Sequence, residues 1–198
     1  MKKELLNKLS QPTDGASLAF LRIFYGWIMA IDVIRLYLKG NLETYYFTPT
    51  MEFTYFFAPW VGHFSEPVMT ILFLACSPLA LCMMLGYRFR ITGFLFLVIQ
   101  TYFFLSNPLN YLNHIYFALI LGFLLWVTPS HRIWSLDAVR NRKKGTWPEN
   151  DSIPRWAIYL ILIQMEIMLV SAGLVKLSPE FYEGHPLREW LVKILDYP

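Results

Sequence analysis

Trp156-Ala157-Ile158-Tyr159-Leu160-Ile161-Leu162-Ile163-Gln164-Met165-Glu166-Ile167-Met168-Leu169-Val170 runs directly into Ser171-Ala172-Gly173-Leu174-Val175-Lys176. At about 1.5 Å of rise per residue, Trp156 to Val175 makes roughly 30 Å of helix, the thickness of a bilayer's hydrocarbon core. The stretch reads as a membrane span, and it places the Lys176 ammonium where the chain leaves the hydrocarbon. A lysine there has two readings. It can snorkel to the headgroups, or it can be held in a dry rim, where desolvation disfavours its charged form and leaves an amine able to act as a base.

The whole chain supports the membrane assignment. Of its 198 residues 56% are hydrophobic, 18% aromatic and only 16% charged, whereas about a quarter of a soluble domain is charged. The net charge of +3 gives no reason to expect a nucleic-acid partner; the partner expected first is the lipid bilayer. Cys76 and Cys82 lie in one apolar stretch, roughly 9 Å apart along a helix, which is beyond the reach of a disulfide. The amino-terminal Met1-Lys2-Lys3-Glu4 is followed by polar residues before the first apolar segment, so that segment reads as a retained helix.

Five segments read as spans: Ser17 to Leu38, Val68 to Tyr87, Ile91 to Leu105, Ile115 to Val127 and Trp156 to Val175. The third and fourth are short. The predicted architecture is all-α, a polytopic transmembrane helical bundle of about five spans. If the spans alternate, Lys2, Lys3 and Lys8, then Arg88 and Arg90, then Arg132, Arg140, Arg142, Lys143, Lys144 and Arg155 fall on one side. The positive-inside rule puts that side, and the amino terminus, in the cytoplasm. Lys176, His114 and the carboxyl-terminal tail then lie on the outer side. The first outer loop, Gly40 to Glu66, carries Tyr45, Tyr46, Phe47, Phe53, Tyr55, Phe56, Phe57 and Trp60. So many rings predict an interfacial or re-entrant loop, one that either caps a lipophilic pocket or forms an aromatic belt without a ligand.

Several polar groups stand out against this background. Asp32 and Arg35, spaced i, i+3 with Arg22 about three turns earlier, suggest a structural ion pair facing the bundle interior. Asn110, Tyr111, Asn113 and His114 cluster before the fourth span. They offer donors and acceptors that can orient a phenol, an amide or a carboxylate, or alternatively cap a helix. Glu166 inside the last span is expected to be neutral or paired. There is no P-loop, GxGxxG, HExxH or GxSxG sequence, and His63, His114, His131 and His185 show no metal-ligand spacing, so no metal is expected.

With these residues in hand, the sequence resembles the HTTM (horizontally transferred transmembrane) domain of the vitamin K-dependent γ-carboxylase family. The matching segments are Leu21-Arg22-Ile23-Phe24-Tyr25-Gly26 with Asp32 and Arg35, Gly86-Tyr87-Arg88, Tyr111-Leu112-Asn113-His114, Ser135-Leu136-Asp137-Ala138, and Ser171-Ala172-Gly173-Leu174-Val175-Lys176-Leu177. They follow the family's order. The resemblance implies a lyase that oxidises reduced vitamin K or menaquinone with dioxygen and adds carbon dioxide to glutamate in a protein substrate. It makes Lys176 the base that deprotonates the hydroquinone and His114 a supporting catalytic group. Asn110, Asn113, Tyr55 and Trp60 are the expected quinone contacts. Residues 1–198 are expected to form a single HTTM-like domain, without the further helices and β-rich domain with which carboxylases continue, and to sit in a bacterial inner membrane rather than the endoplasmic reticulum. The competing expectation is a non-catalytic membrane module or fragment that binds a lipid, a quinone or a partner protein.

Overall fold

The computed structural model describes residues 2–48, 53–147 and 150–195. In chain order these form α1 (Lys2–Ser10), β1 (Pro12–Asp14), α2 (Ala16–Leu38), α3 (Glu66–Leu85), α4 (Phe89–Ser106), α5 (Asn113–Val127), α6 (Leu136–Lys143), β2 (Ser152–Pro154), α7 (Trp156–Val175), α8 (Pro179–Tyr182) and α9 (His185–Leu195). Among the described residues four helices are long and apolar enough to cross a membrane: α2, α3, α4 and α7. The protein is an integral membrane protein with an all-α polytopic fold. A fifth apolar helix, α5, is shorter: its 15 residues rise about 22 Å against a hydrocarbon core of roughly 30 Å, in keeping with the short fourth segment read from the sequence. Conversely, α4 is longer than its apolar core suggested, because its first turn begins at Phe89.

The chain divides into two compact units, Met1–Ile158 and Tyr159–Pro198. In the first, α2 to α5 run alternately up and down. The amino-terminal half of α2 meets the carboxyl end of α3 through Arg22, which donates to the Met83 carbonyl. The start of α4 meets the end of α5, where Trp126 Nε1 donates to the Arg90 carbonyl at 2.9 Å and Arg90 donates back to the Trp126 carbonyl. β1 and β2 pair antiparallel, Thr13 opposite Ile153, so the chain enters α7 at the end where it entered α2.

Close helix contact depends on small residues, as is usual where lipid supplies no hydrophobic drive between helices. A Cβ on Gly26 would stand 2.6 Å from the Ala80 carbonyl oxygen and 2.7 Å from the Met84 nitrogen. Both are backbone atoms of α3 and have little room to yield. Further along the same seam Ser77 Oγ donates to the Ala30 carbonyl at 3.2 Å, and Pro78 removes one backbone donor inside α3.

In the second unit α7 is apolar on all sides. Its buried residues are Ala157, just before the unit boundary, and Ile161, the pattern of a helix covered by lipid or by another protein. Glu166 is exposed on it. Beyond α8, the short helix α9 exposes Leu187, Trp190, Leu191 and Ile194, one apolar stripe at helical spacing.

Candidate functional site

At the end of the bundle where α2 and α4 begin, one side chain holds several segments together. Arg22 is fully buried, and its guanidinium has five N–H donors. They are directed at five backbone carbonyls: Ser130 at 3.2 Å from Nε, Met83 and Met84 from Nη1, and Ile133 at 3.3 Å and Trp134 at 2.7 Å from Nη2. The Met83 and Met84 carbonyls belong to the last turn of α3, where oxygens run out of intrahelical partners; that of Met83 also accepts from the Gly86 N–H at 3.1 Å. A cation there also meets the negative end of the helix dipole. The opposite arrangement starts α4. Asp137 accepts from the backbone N–H groups of Arg88 at 3.0 Å and Phe89 at 2.8 Å, a carboxylate at the positive end of a helix. This cap explains why α4 begins at Phe89.

The turn between α3 and α4 is shaped to this knot. Gly86 has φ +62°, and a Cβ on it would lie 2.3 Å from Ser135 Cβ and 2.9 Å from Arg22 Nη1. Glycine is required there twice, for the left-handed backbone and for the space. Ser135 caps α6 by accepting from the Ala138 N–H at 2.9 Å and donates to the His131 carbonyl.

His131 lies on the flank of the knot. Its ring stacks on Phe89 at 5.0 Å and meets Trp147 edge-on at 5.4 Å, and its Nδ1 is buried with no hydrogen-bond partner among the described residues. Burial lowers its pKa to about 4, reinforced by Arg90, Arg132 and Arg22 and opposed by Asp137. The folded pKa lies below the unfolded value, so the unfolded chain binds the proton first on acidification. Stability is therefore expected to fall as pH drops below about 6.5 and to level off near 4, by on the order of 3 kcal/mol. Thermal melting between pH 7.5 and 4 checks this; His131→Phe, which keeps the stacking ring, should flatten that acid limb.

The opposite end of the bundle is built from rings. Tyr46 donates to the Phe103 carbonyl at 3.0 Å, and burial, then the Tyr102 phenol, push its ionisation well above the ordinary tyrosine value. His63 Nε2 lies 2.9 Å from the Ser106 carbonyl. The Tyr102 hydroxyl accepts from the Phe64 N–H at 3.1 Å and donates to the Gly62 carbonyl at 3.2 Å. Trp60, His63, Phe64 and Tyr102 line a cleft of about 300 Å³. Beside it stands a second aromatic group. Tyr55 stacks on Phe104 at 6.1 Å, and Phe104 meets Tyr111 at 5.7 Å and Tyr116 at 6.0 Å. The Tyr55 hydroxyl oxygen is buried, with no hydrogen-bond partner among the described residues. Burial and the neighbouring Tyr111 raise its pKa, so it stays a donor.

A family model described as the HTTM domain matches residues 10–198, essentially the whole chain. The chain belongs to the HTTM family. HTTM domains occur in vitamin K-dependent γ-carboxylase-related proteins. No solved structure matches this chain.

Within this HTTM protein the five quoted segments divide by place. Leu21 to Gly26, Gly86 to Arg88 and Ser135 to Ala138 meet in the Arg22 knot, where each supplies a cap, a turn or a carbonyl clamp. The other two contain His114 and Lys176. His114 is the second residue of α5 and is exposed, as is Asn113 before it. Asn110 closes the 3₁₀ turn Pro108–Asn110; its side chain lies outside the described part. Lys176 follows the last residue of α7 in the second unit. It is exposed, with Nζ 6.0 Å from the centre of the Phe181 ring.

Tyr55 and Trp60 fall in different places, Tyr55 in the stacked group and Trp60, 78% exposed, at the rim of the cleft. Asp32 and Arg35 do meet, at 2.6 Å, but with side chains 34% and 54% exposed. The pair stands on an uncovered face of α2 instead of facing the bundle interior as expected. The buried cation of α2 is Arg22. The aromatic loop read from the sequence supplies Tyr46 to the ring-lined end, but sequence reading did not single out His63 or Tyr102 as parts of it; the signal for them was the density of aromatic residues on both sides of His63.

Proposed function

We propose that this HTTM protein is a vitamin K-dependent γ-carboxylase-like membrane protein that binds a reduced quinone at the ring-lined end of its bundle. The observation that carries the reading is the Tyr55 hydroxyl, a buried donor without an acceptor among the described residues, set in a wall formed with Phe104, Tyr111 and Tyr116. A buried polar group left unmade costs about 1–3 kcal/mol, and a flat ring bearing oxygen would both stack on the wall and accept from Tyr55. The residues present therefore fit a quinone.

When bound, reduced vitamin K or menaquinone would supply, through its oxidation by dioxygen, the strong base that removes a γ-proton from peptide glutamate before carbon dioxide adds. The chain's own contributions are simpler. Tyr55 orients an oxygen, with Asn113 at the start of α5 as a further amide donor and Trp60 as an apolar rim; Asn110 keeps the role of quinone contact that the sequence suggests for it. By the family resemblance alone, Lys176 is assigned as the base that takes a phenolic proton and becomes an ammonium. His114 supports that transfer as a donor or acceptor. In this reading the knot end faces the cytoplasm, following the basic residues around it, and His114, Lys176 and the tail face outward, in a bacterial inner membrane. The protein substrate is a glutamate-containing polypeptide.

The second reading, a non-catalytic module that binds a quinone, a lipid or a partner protein, is favoured by the exposure of Lys176 over Phe181, a setting that also suits a snorkelling cation.

Tyr55→Phe tests the quinone site. Removing an unsatisfied hydroxyl should leave the melting temperature unchanged or raised. The affinity for menaquinone in nanodiscs, measured by equilibrium binding, should fall about tenfold. Unchanged affinity would remove Tyr55 from the site, and a collapse in melting temperature would make it structural.

A further inference from the structure

At the knot end, the groove between the start of α2, the end of α3 and α6 has a volume of about 330 Å³ and is lined by Ile23, Leu85, Trp134, Leu136 and Val139 among others. Trp134, Leu136 and Val139 are each about half exposed, although they would normally be expected to seek cover. Trp134 is also strained. Its φ of +48° is one that a bulky residue rarely adopts, and the strain is held in place by the hydrogen bond from Arg22 Nη2 to the Trp134 carbonyl. The knot thus fixes the carbonyl inward and leaves the indole standing at the groove.

The short helix α6 continues this surface with a change of chemistry. Leu136, Val139, Arg140 and Lys143 are spaced i, i+3, i+4 and i+7 and share one face. The first two line the groove; Arg140 and Lys143 follow them and are exposed. Among the described residues neither has a carboxylate partner. One face therefore passes from apolar to cationic within about 10 Å, beside the ends of two membrane-spanning helices.

We propose that this groove is a binding site for an anionic phospholipid, with the acyl chain against Ile23, Leu85, Trp134, Leu136 and Val139 and the headgroup phosphate on Arg140 and Lys143. An apolar protein segment would match the groove but not the two unpaired cations at its end. A soluble anion would match the cations but not the exposed indole and aliphatic side chains. A phospholipid answers to both, and the position at the end of α2 and α3 puts the groove within reach of the headgroup layer. The site lies at the other end of the bundle from the quinone site, and its occupancy does not depend on that reading.

The test is native mass spectrometry of the full chain released from detergent, with phosphatidylglycerol or phosphatidylcholine of matched acyl chains titrated in. The parent should retain phosphatidylglycerol in preference to phosphatidylcholine. The double variant Arg140→Gln/Lys143→Gln should weaken phosphatidylglycerol retention roughly tenfold with an unchanged melting temperature. The control Lys3→Gln/Lys8→Gln, which removes the same charge from α1, should retain the lipid as the parent does. Equal retention of the two lipids by the parent, no loss in the double variant, or an equal loss in the control would each overturn the proposal.

Discussion

Arg22→Leu is expected to abolish accumulation of folded protein. The substitution keeps an apolar stem but removes five donors at once, stranding the carbonyls of Met84, Ser130, Ile133 and Trp134 and leaving that of Met83 with the Gly86 N–H alone. Three of those five bonds, to Ser130, Met83 and Ile133, are buried where water does not replace the donor. At about 1–3 kcal/mol for each stranded group, the loss is on the order of 5 kcal/mol, comparable with the whole stability of many proteins. The end of α3 would also lose the cation at its negative pole. Arg22→Lys separates charge from geometry. Lysine keeps the charge but offers three donors from a single atom, which cannot reach carbonyls spread across two segments. Its yield should lie well below that of the parent. The measurement is the monodisperse fraction on size exclusion with a thermal melt in the same detergent, and a parent-like Arg22→Leu protein would show that the knot is not what holds this end of the bundle.

Lys176→Ala should remove quinone turnover by a factor of at least about a hundred, the lower range for loss of a positioned proton acceptor. Its yield and melting temperature should match the parent, because Lys176 is exposed and its recorded side-chain neighbour is the Phe181 ring at 6.0 Å. Affinity for the quinone should also persist, since the stacking wall belongs to the other unit. A small added amine should restore part of the rate in this variant and leave the parent unaffected. Full activity in Lys176→Ala would return Lys176 to the role of a snorkelling cation.

The parts of the fold legible in the sequence are those written in side-chain hydrophobicity. The run from Trp156 to Val175 appears as α7 with those same ends, and the apolar segment ending at Leu38 appears as α2 with that end. Hydrophobicity also marks α5, whose 15 residues match the short fourth apolar segment.

The knot was not legible, for a physical reason. The acceptors of Arg22 are backbone carbonyls 61 to 112 residues away, and a carbonyl has no residue type. Read along one helix, Arg22, Asp32 and Arg35 looked like a single polar face; packing buried the first and left the other two outside. The family resemblance had already picked out Arg22, Gly86, Ser135 and Asp137 without saying what they do. Their contacts give them a shared structural task. Lys176 and His114 are different, since neither is buried nor enclosed in the contacts of its own unit, and their proposed roles rest on the family and on chemistry.

The most direct measurement of carboxylase-like quinone chemistry is epoxide formation by the purified, bilayer-reconstituted parent supplied with reduced menaquinone, dioxygen, carbon dioxide and a glutamate-containing peptide, read by chromatography of the extracted quinone. Epoxide should form, require dioxygen and disappear in Lys176→Ala. A parent protein that binds menaquinone yet forms no epoxide would contradict that chemistry and identify the bundle as a non-catalytic quinone-binding module.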